Sequence, residues 1–487
     1  MINMVGITSY GGYIPRYRLN RGTIFGAMGW FNPVTIAVAQ GEKSVANYDE
    51  DSITMAVAAG RDALNGIKND KIDGVYFAST TMPYKERSSA GIAASAMNLR
   101  DDIRFADFSE AVKSGTTASI AALDAVKAGE ASNIMVLAAD YRMGRMGSMV
   151  EQFYGDGAGC LVMGDKNVIA EFKGSYSVSY DFVDHFRSDD APFDRTWEER
   201  WIRDVGYGKI IPEAITGLLK KTGVKAEDVA KIVYPCYFNR DHGKIGTNLG
   251  FKPEAIHGNM HAETGDTGTA HPLVMMASAL ADAKPGDKMI MVSFGSGSDA
   301  LLFEVTDNIK KLKGISGTKG SLANRADLAP YEKYGVFRNI IPMELGIRGE
   351  DQAPTAFSTL WRNRKTVMGL VGSKCKDCNT PQFPPQRVCV NPDCGSTDQM
   401  EEYPFSDKEG TIFSYTGDML SFSFDPPQVY GIIRFKGGGR IWTDFADCKL
   451  EDIKVGQKVN MSFRRKYYDS KRGIHGYFWK AVPVTDN

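Results

Sequence analysis

The chain contains no apolar run approaching the roughly eighteen consecutive residues that a membrane-spanning helix requires. Its start, Met1-Ile2-Asn3-Met4-Val5-Gly6-Ile7, lacks the basic segment and long apolar core of a secretory leader and reads as a strand. An excess of either charge is also missing. Lys and Arg total 58 against 59 Asp and Glu, so no general field draws nucleic acid or an anionic membrane to the protein, and neither is expected as a partner. Cysteine is scarce, with 7 in 487 residues, and those outside one short segment follow no pairing pattern. That excludes a disulfide-stapled secreted scaffold and makes the reducing cytoplasm the expected compartment.

What is present is concentrated. Cys375, Cys378, Cys389 and Cys394 are spaced C-x2-C, ten residues, C-x4-C, with Gly395 just past the second pair. Such knuckles close a tetrahedral thiolate site around one structural zinc ion; the bland alternative is four unrelated buried thiols.

The length is too great for one core and suggests roughly three domain-sized units. Over the first three hundred or so residues, helix-like and strand-like segments alternate, as in layered α/β structure. Residues 52–67 and 115–128 have helical spacing, and 74–78 and 133–139 are apolar strands of the kind that lie inside a covered sheet. A second pass follows, with helices at 212–220, 226–230 and 271–283 and strands at 231–234 and 288–294, which indicates an internal duplication. Each half closes on a glycine-rich hairpin, at 154–162 and 294–302, where tight backbone packing explains the glycines better than phosphate binding does, because neither run leads from a strand into a helix. Residues 306–355 read as a connector. A helix around Trp361 and the ribbon occupy 356–400, and short alternating strands over 401–487 suggest a small barrel of the OB type.

Several stretches carry a family likeness: 5–18, Lys113-Ser114-Gly115-Thr116, Gly155-Asp156-Gly157-Ala158, and Lys284-Pro285-Gly286-Asp287 leading to 292–297. In these, residues 1–305 resemble the thiolase superfamily, most closely 3-hydroxy-3-methylglutaryl-CoA synthase and more distantly ketoacyl-synthase III. The ribbon, Phe383-Pro384-Pro385 and the β-rich segment after them resemble the zinc-ribbon and OB-fold family that accompanies thiolase-like enzymes of acyl-CoA metabolism. The resemblance implies a duplicated five-layer α/β fold, with halves 1–170 and 171–305, followed by the ribbon and the OB-fold. It also implies an acyl-CoA substrate, coenzyme A as part of that substrate, and a homodimer or higher homo-oligomer, with 132–141 as the expected edge-to-edge region.

The catalytic positions of that family are changed here. The thiol that takes an acyl group from CoA falls at Val112, the histidine at Pro235, and the acid/base glutamate at Thr80. The asparagine that binds the thioester carbonyl falls at Asp266, inside the polar turn 260–272. Asp266 is therefore the candidate base, with His261, His271, Tyr237 and Tyr84 as proton donors and Cys236 as a substitute nucleophile; Ser114 is weaker. The competing structural roles are a helix cap at 271–283 for Asp266 or Thr269, packed rings for the tyrosines, and an inert core thiol for Cys236. Three functions are in contention. They are carbon–carbon bond chemistry on an acyl-CoA by acid/base catalysis, a synthase-like acyltransferase with a substitute nucleophile, and a non-catalytic acyl-CoA-binding or scaffold subunit.

Overall fold

A computed structural model describes residues 4–65, 67–344 and 355–484. The chain separates into two compact units, one built mainly from residues up to Tyr334, the other from Gly335 onward together with Asn47–Glu50 and Ala94–Asn98.

The first unit holds a nine-stranded sheet. Its strands are β1 (Gly6–Tyr13), β2 (Gly74–Ala78), β3 (Arg104–Phe108), β4 (Asn133–Asp140), β5 (Gly157–Gly164), β6 (Ala170–Ser179), β7 (Lys231–Val233), β8 (Lys288–Val292) and β9 (Gly297–Val305). Their order, β7-β8-β9-β6-β1-β5-β4-β2-β3, is the duplication made visible. In the first half β1 runs antiparallel to β5, β5 to β4, and β4 parallel to β2; in the second, β6 runs antiparallel to β9, β9 to β8, and β8 parallel to β7. Within the sheet the halves are joined where Gly6 and Ile7 pair with Glu171 and Ala170.

The helices that pack on these half-sheets include α1 (Ser52–Ala63), α2 (Ser114–Lys127), α3 (Ile211–Thr222) and α4 (His271–Leu280). α1 lies on β1, β5 and β4, α3 on β6 and β9, and α2 and α4 contact each other and strands of both halves. Strand periodicity enforces this layering. Met289, Met291, Leu301 and Phe303 join the core containing α2 and α4, while their neighbours Ile290, Val292, Ala300 and Leu302 face α3. All ten residues of α4 are buried, and its Leu273, Val274, Met275, Met276 and Leu280 each contribute about 2 kcal/mol of apolar burial. α1 starts on a capping box in which Asp51 accepts from Thr54 N–H (2.9 Å) and the Thr54 hydroxyl accepts from Asp51 N–H (2.8 Å).

Two expectations need correction. Residues 132–141 are not an edge: β4 is hydrogen-bonded on both sides, and the terminal strands are β3 and β7. Only 294–302 belongs to a tight hairpin, because β4 and β5 are joined through residues 141–156, which include the helix Met149–Phe153. The glycines do serve backbone packing: a Cβ on Gly159 would lie 2.7 Å from Leu273 Cβ. Residues 306–334 of the expected connector belong to the first unit, and 345–354 lie outside the described residues.

In the second unit a short helix, Phe357–Arg362, precedes the ribbon strands β10 (Val371–Cys375), β11 (Pro381–Gln382) and β12 (Met400–Pro404). Five antiparallel strands follow: β13 (Gly410–Asp418), β14 (Gln428–Phe435), β15 (Arg440–Asp444), β16 (Lys458–Asp469) and β17 (Ile474–Pro483), in the order β15-β14-β13-β16-β17. A bridge between Phe445 and Ala481 draws the outer strands together around Trp479, Phe435, Phe463 and Ile433. Arg464 lies 3.2 Å from Asp49 and 3.0 Å from Glu50, and Lys480 lies 2.8 Å from Asp49, so the segment 47–50 is held in this unit by buried ion pairs.

Candidate active site

α2 begins at Ser114, and Val112 occupies the turn just before it, buried against the loop after β8; a Cβ on Gly295 would come 3.1 Å from Val112 Cβ. The helix terminus suited to activating a thiol therefore carries an alkyl group. Thr80 is also committed, its N–H and hydroxyl both donating to Asp140 Oδ1 (2.8 and 3.1 Å). Asp140 Oδ2 accepts from Thr269 N–H (2.7 Å), so this carboxylate ties the loop after β2 and the end of β4 to the turn before α4. Pro235 is buried two residues after β7, and the Ser114 hydroxyl donates to Ala111 O (2.5 Å).

Asp266 is placed by its backbone. Its N–H donates to Phe153 O (2.7 Å), and Gly155 N–H donates to Asp266 O (3.0 Å). The approach requires glycine, since a Cβ on Gly155 would fall 1.7 Å from Thr264 O, and Gly265 takes φ +77°. Asp266 Oδ1 accepts from Gly268 N–H (2.8 Å), which caps the 3-10 turn Gly268–Ala270 rather than α4, and Oδ2 lies 3.9 Å from Arg142 Nη1. Burial penalises this carboxylate, but the surrounding His271, Arg142, His261 and the Gly268 N–H outweigh that penalty and hold its carboxyl below the usual range. Asp266 is ionised at neutral pH.

The two histidines of the turn differ. His271 Nε2 donates to Asn259 O (3.0 Å), and its Nδ1 accepts from Thr267 N–H (3.3 Å), which fixes one neutral tautomer. His261 is 2% exposed and neither ring nitrogen has a hydrogen-bond partner among the described residues. Burial pushes both imidazoles below their ordinary value, His261 far below. The His261 ring lies 5.2 Å from that of His271 and 6.0 Å, edge-on, from Tyr237.

Tyr237 stacks on Phe153 (4.4 Å) and meets Tyr207 edge-on (5.3 Å); burial, with Asp184 and Asp266 nearby, raises its hydroxyl well above normal. The Cys236 thiol is fully buried and donates to Phe238 O (3.6 Å), and burial pushes it up to about 12. Tyr84 lies on the loop after β2 with its hydroxyl accepting from Arg87 (2.9 Å), outside the ring cluster of Tyr237, His261 and His271.

The sequence reading missed Arg142, Asp194 and Tyr207. Arg142 Nε donates to Asp194 Oδ2 (2.9 Å) and its Nη2 to the Tyr154 hydroxyl (2.7 Å). Tyr207 sits in a π-helix, Ile202–Ile210, whose Gly206 allows Phe294 to approach within 2.7 Å of a would-be Cβ. A charged residue two positions beyond a strand as apolar as β4 was the one available signal for Arg142.

In the second unit the Cys375 and Cys394 sulfurs are 3.8 Å apart and those of Cys378 and Cys389 3.4 Å, with all four within 4.8 Å of one another. Tetrahedral zinc with bonds of about 2.3 Å demands sulfur separations near 3.8 Å, so the donor set fits that ion. The Cys378 sulfur is 3.1 Å from the Thr380 hydroxyl.

Comparison with solved structures identifies the fold class. MvaS in complex with 3-hydroxy-3-methylglutaryl coenzyme A superposes with a TM-score of 0.59 at 18% identity, covering 70% of this chain and 93% of that one. The 3-oxoacyl-[acyl-carrier-protein] synthase III of Aquifex aeolicus gives 0.54 at 20% identity, covering 62% and 99%. The first unit thus has the duplicated thiolase-like fold, and residues 219–303 match the C-terminal family model of 3-oxoacyl-[acyl-carrier-protein] synthase III. Residues 369–401 match the rubredoxin-like zinc ribbon domain of ChsH2, and 402–464 its C-terminal OB-fold domain. Hydroxymethylglutaryl-CoA synthase of Methanocaldococcus jannaschii is 32% identical over 353 residues, covering 70% of this chain and all (100%) of that one. The enzyme of the same name from Caldivirga maquilingensis is 32% identical over 347 residues, covering 70% and 99%. The chain belongs to the hydroxymethylglutaryl-CoA synthase family and carries a ChsH2-type zinc ribbon and OB-fold domain at its C-terminal side.

Proposed function

We propose that this protein makes or breaks a carbon–carbon bond beside the carbonyl of an acyl-CoA thioester by acid/base catalysis, without an acyl-cysteine. Aldol or retro-aldol chemistry, or a Claisen or thiolytic step in which free CoA attacks directly, needs a base, an acid and a pocket for the oxyanion. One arrangement carries the reading: an ionised, buried Asp266 in the same turn as His261, whose ring nitrogens have no partner among the described residues, with Val112 where a nucleophilic thiol would stand. Asp266 takes the proton next to the thioester carbonyl. His261 donates its N–H to the oxyanion, with Tyr237 beside it as the alternative donor, and His271 holds the turn. The names of the family relatives and of the solved complexes support a CoA thioester as substrate. An acyltransferase using Cys236 fits poorly, because a buried thiol raised to about 12 and bonded to a carbonyl is a weak nucleophile.

The test is incubation of the purified chain with a panel of acyl-CoA thioesters, following released ketone, aldehyde or acetyl-CoA. Asp266→Asn is expected to lower turnover by about a hundred-fold or more, while mild thiol alkylation leaves it largely intact. A covalent acyl group on Cys236 detected by mass spectrometry would overturn the non-covalent mechanism. Full turnover in Asp266→Asn would return the residue to turn capping, and thioester binding without turnover would leave the scaffold role.

We also propose that Cys375, Cys378, Cys389 and Cys394 bind one structural zinc, since four thiolates leave no position open for catalysis. A reducing compartment, the cytoplasm, suits such a site.

A further inference from the structure

Among the described residues, Asp266 has one carboxylate oxygen hydrogen-bonded and one not. Oδ1 accepts from Gly268 N–H at 2.8 Å, while Oδ2 faces Arg142 Nη1 at 3.9 Å, within ion-pair range but beyond hydrogen-bond length. Arg142 has the charge and reach to close that gap and is held elsewhere. Its Nε donates to Asp194 (2.9 Å), its Nη2 donates to the Tyr154 hydroxyl (2.7 Å), and its guanidinium lies 3.8 Å from the Tyr154 ring centre. Asp194 is itself fixed: its other oxygen accepts from Arg187 (3.2 Å), and its N–H donates to Met143 O (2.9 Å). The side chains of Arg142 and Asp194 are each 3% exposed.

We propose that Asp194 is a positioning residue that restrains Arg142, so that the guanidinium supplies its charge to Asp266 without occupying Oδ2, leaving that oxygen free to accept the substrate's proton. The inference rests on the reading of Asp266 as the base. The groups facing Asp266 are His261 and His271 from its own turn, Arg142 from the end of β4 with Asp140 behind it, Tyr154 from the paired backbone, and Tyr207 and Tyr237 from the π-helix and the loop after β7. Burial pushes both imidazoles down and the tyrosines stay protonated, which leaves Arg142 as the permanent cation facing Asp266.

The two partners therefore have opposite signatures. Arg142→Gln removes the balancing charge, and the Asp266 titration should rise by about one unit or more, moving the acid limb of kcat/KM to higher pH. Asp194→Asn frees Arg142 to bond Oδ2, so kcat should fall about ten-fold or more with little change in KM and no rise of the acid limb. Arg142→Lys keeps the charge but loses the Nε anchor, and should behave like Asp194→Asn if either other variant fails to fold. Titration is read independently of turnover by 13C NMR of the full chain labelled at aspartate Cγ, with the Asp266 resonance assigned by its loss in Asp266→Asn. An unmoved midpoint in Arg142→Gln, a raised midpoint in Asp194→Asn, or wild-type kcat in Asp194→Asn or Arg142→Lys would overturn the proposal. Full activity in Asp266→Asn would instead sink the base assignment, and the NMR midpoints would still report whether Arg142 sets the charge state.

Discussion

Burying an ionisable side chain fixes its protonation state, and the histidines here show the consequence. His242 stacks on Tyr234 with ring centres 4.3 Å apart, and burial pushes its imidazole down to about 4. An unfolded histidine titrates near 6.5, so between those values the unfolded chain holds the extra proton. Stability is complete above about pH 6.5 and is lost as pH falls toward 4, by about 3 kcal/mol for this residue. His261 and His271 act in the same direction. In thermal melts at a series of pH values, His242→Phe, which keeps the ring stack, is expected to show a shallower fall in Tm between pH 6.5 and 4 than wild type. An unchanged slope would mean that folding does not lower the proton affinity of this imidazole.

Single elements depend on close approaches that their sequences permit. The backbone pairing of residues 153–155 with 264–266 exists because Gly155 presents no side chain, and it delivers Asp266 to the site. In the ribbon, β10 brings Cys375 to a knuckle that the proposed zinc is expected to hold, since a segment of about thirty residues buries too little apolar surface to hold itself together. Metal analysis of the pure full-length chain should find one zinc. Cys378→Ser should release it and expose the ribbon to proteolysis while α4 and its sheet stay intact; zinc lost without any change in the ribbon would refute a structural role.

For the whole molecule, the prediction concerns association. Among the described residues β3 is a terminal strand of the nine-stranded sheet, with an open backbone edge and Phe105 53% exposed. Unpaired edges of this kind are templates for strand pairing. We expect a homodimer formed through β3, measured as twice the chain mass by sedimentation at micromolar concentration and weakened by Phe105→Pro, which removes a backbone donor. A monomeric wild type would refute it.

The features legible in the sequence were those written locally. Cysteine spacing sets ligand geometry directly, period-two alternation marks strands whose faces meet different layers, and the repeated pattern of helices and strands gives away the duplication. Strand β17, the π-helix at Ile202–Ile210 and β6 escaped notice, because partly polar or glycine-containing segments carry little periodic signal. The sheet edge was misplaced for a physical reason: β4 is apolar because it is covered on both faces and paired on both sides, whereas the true edge, Arg104–Phe108, is half polar. The candidate site was half legible. Asp266 and His261 share one turn, and the replacement of the thiol by Val112 is visible in the chain. Only the tertiary structure could put Arg142 between Asp194 and Asp266, or Arg464 beside Asp49, since charges far apart in sequence acquire their meaning from what burial leaves next to them.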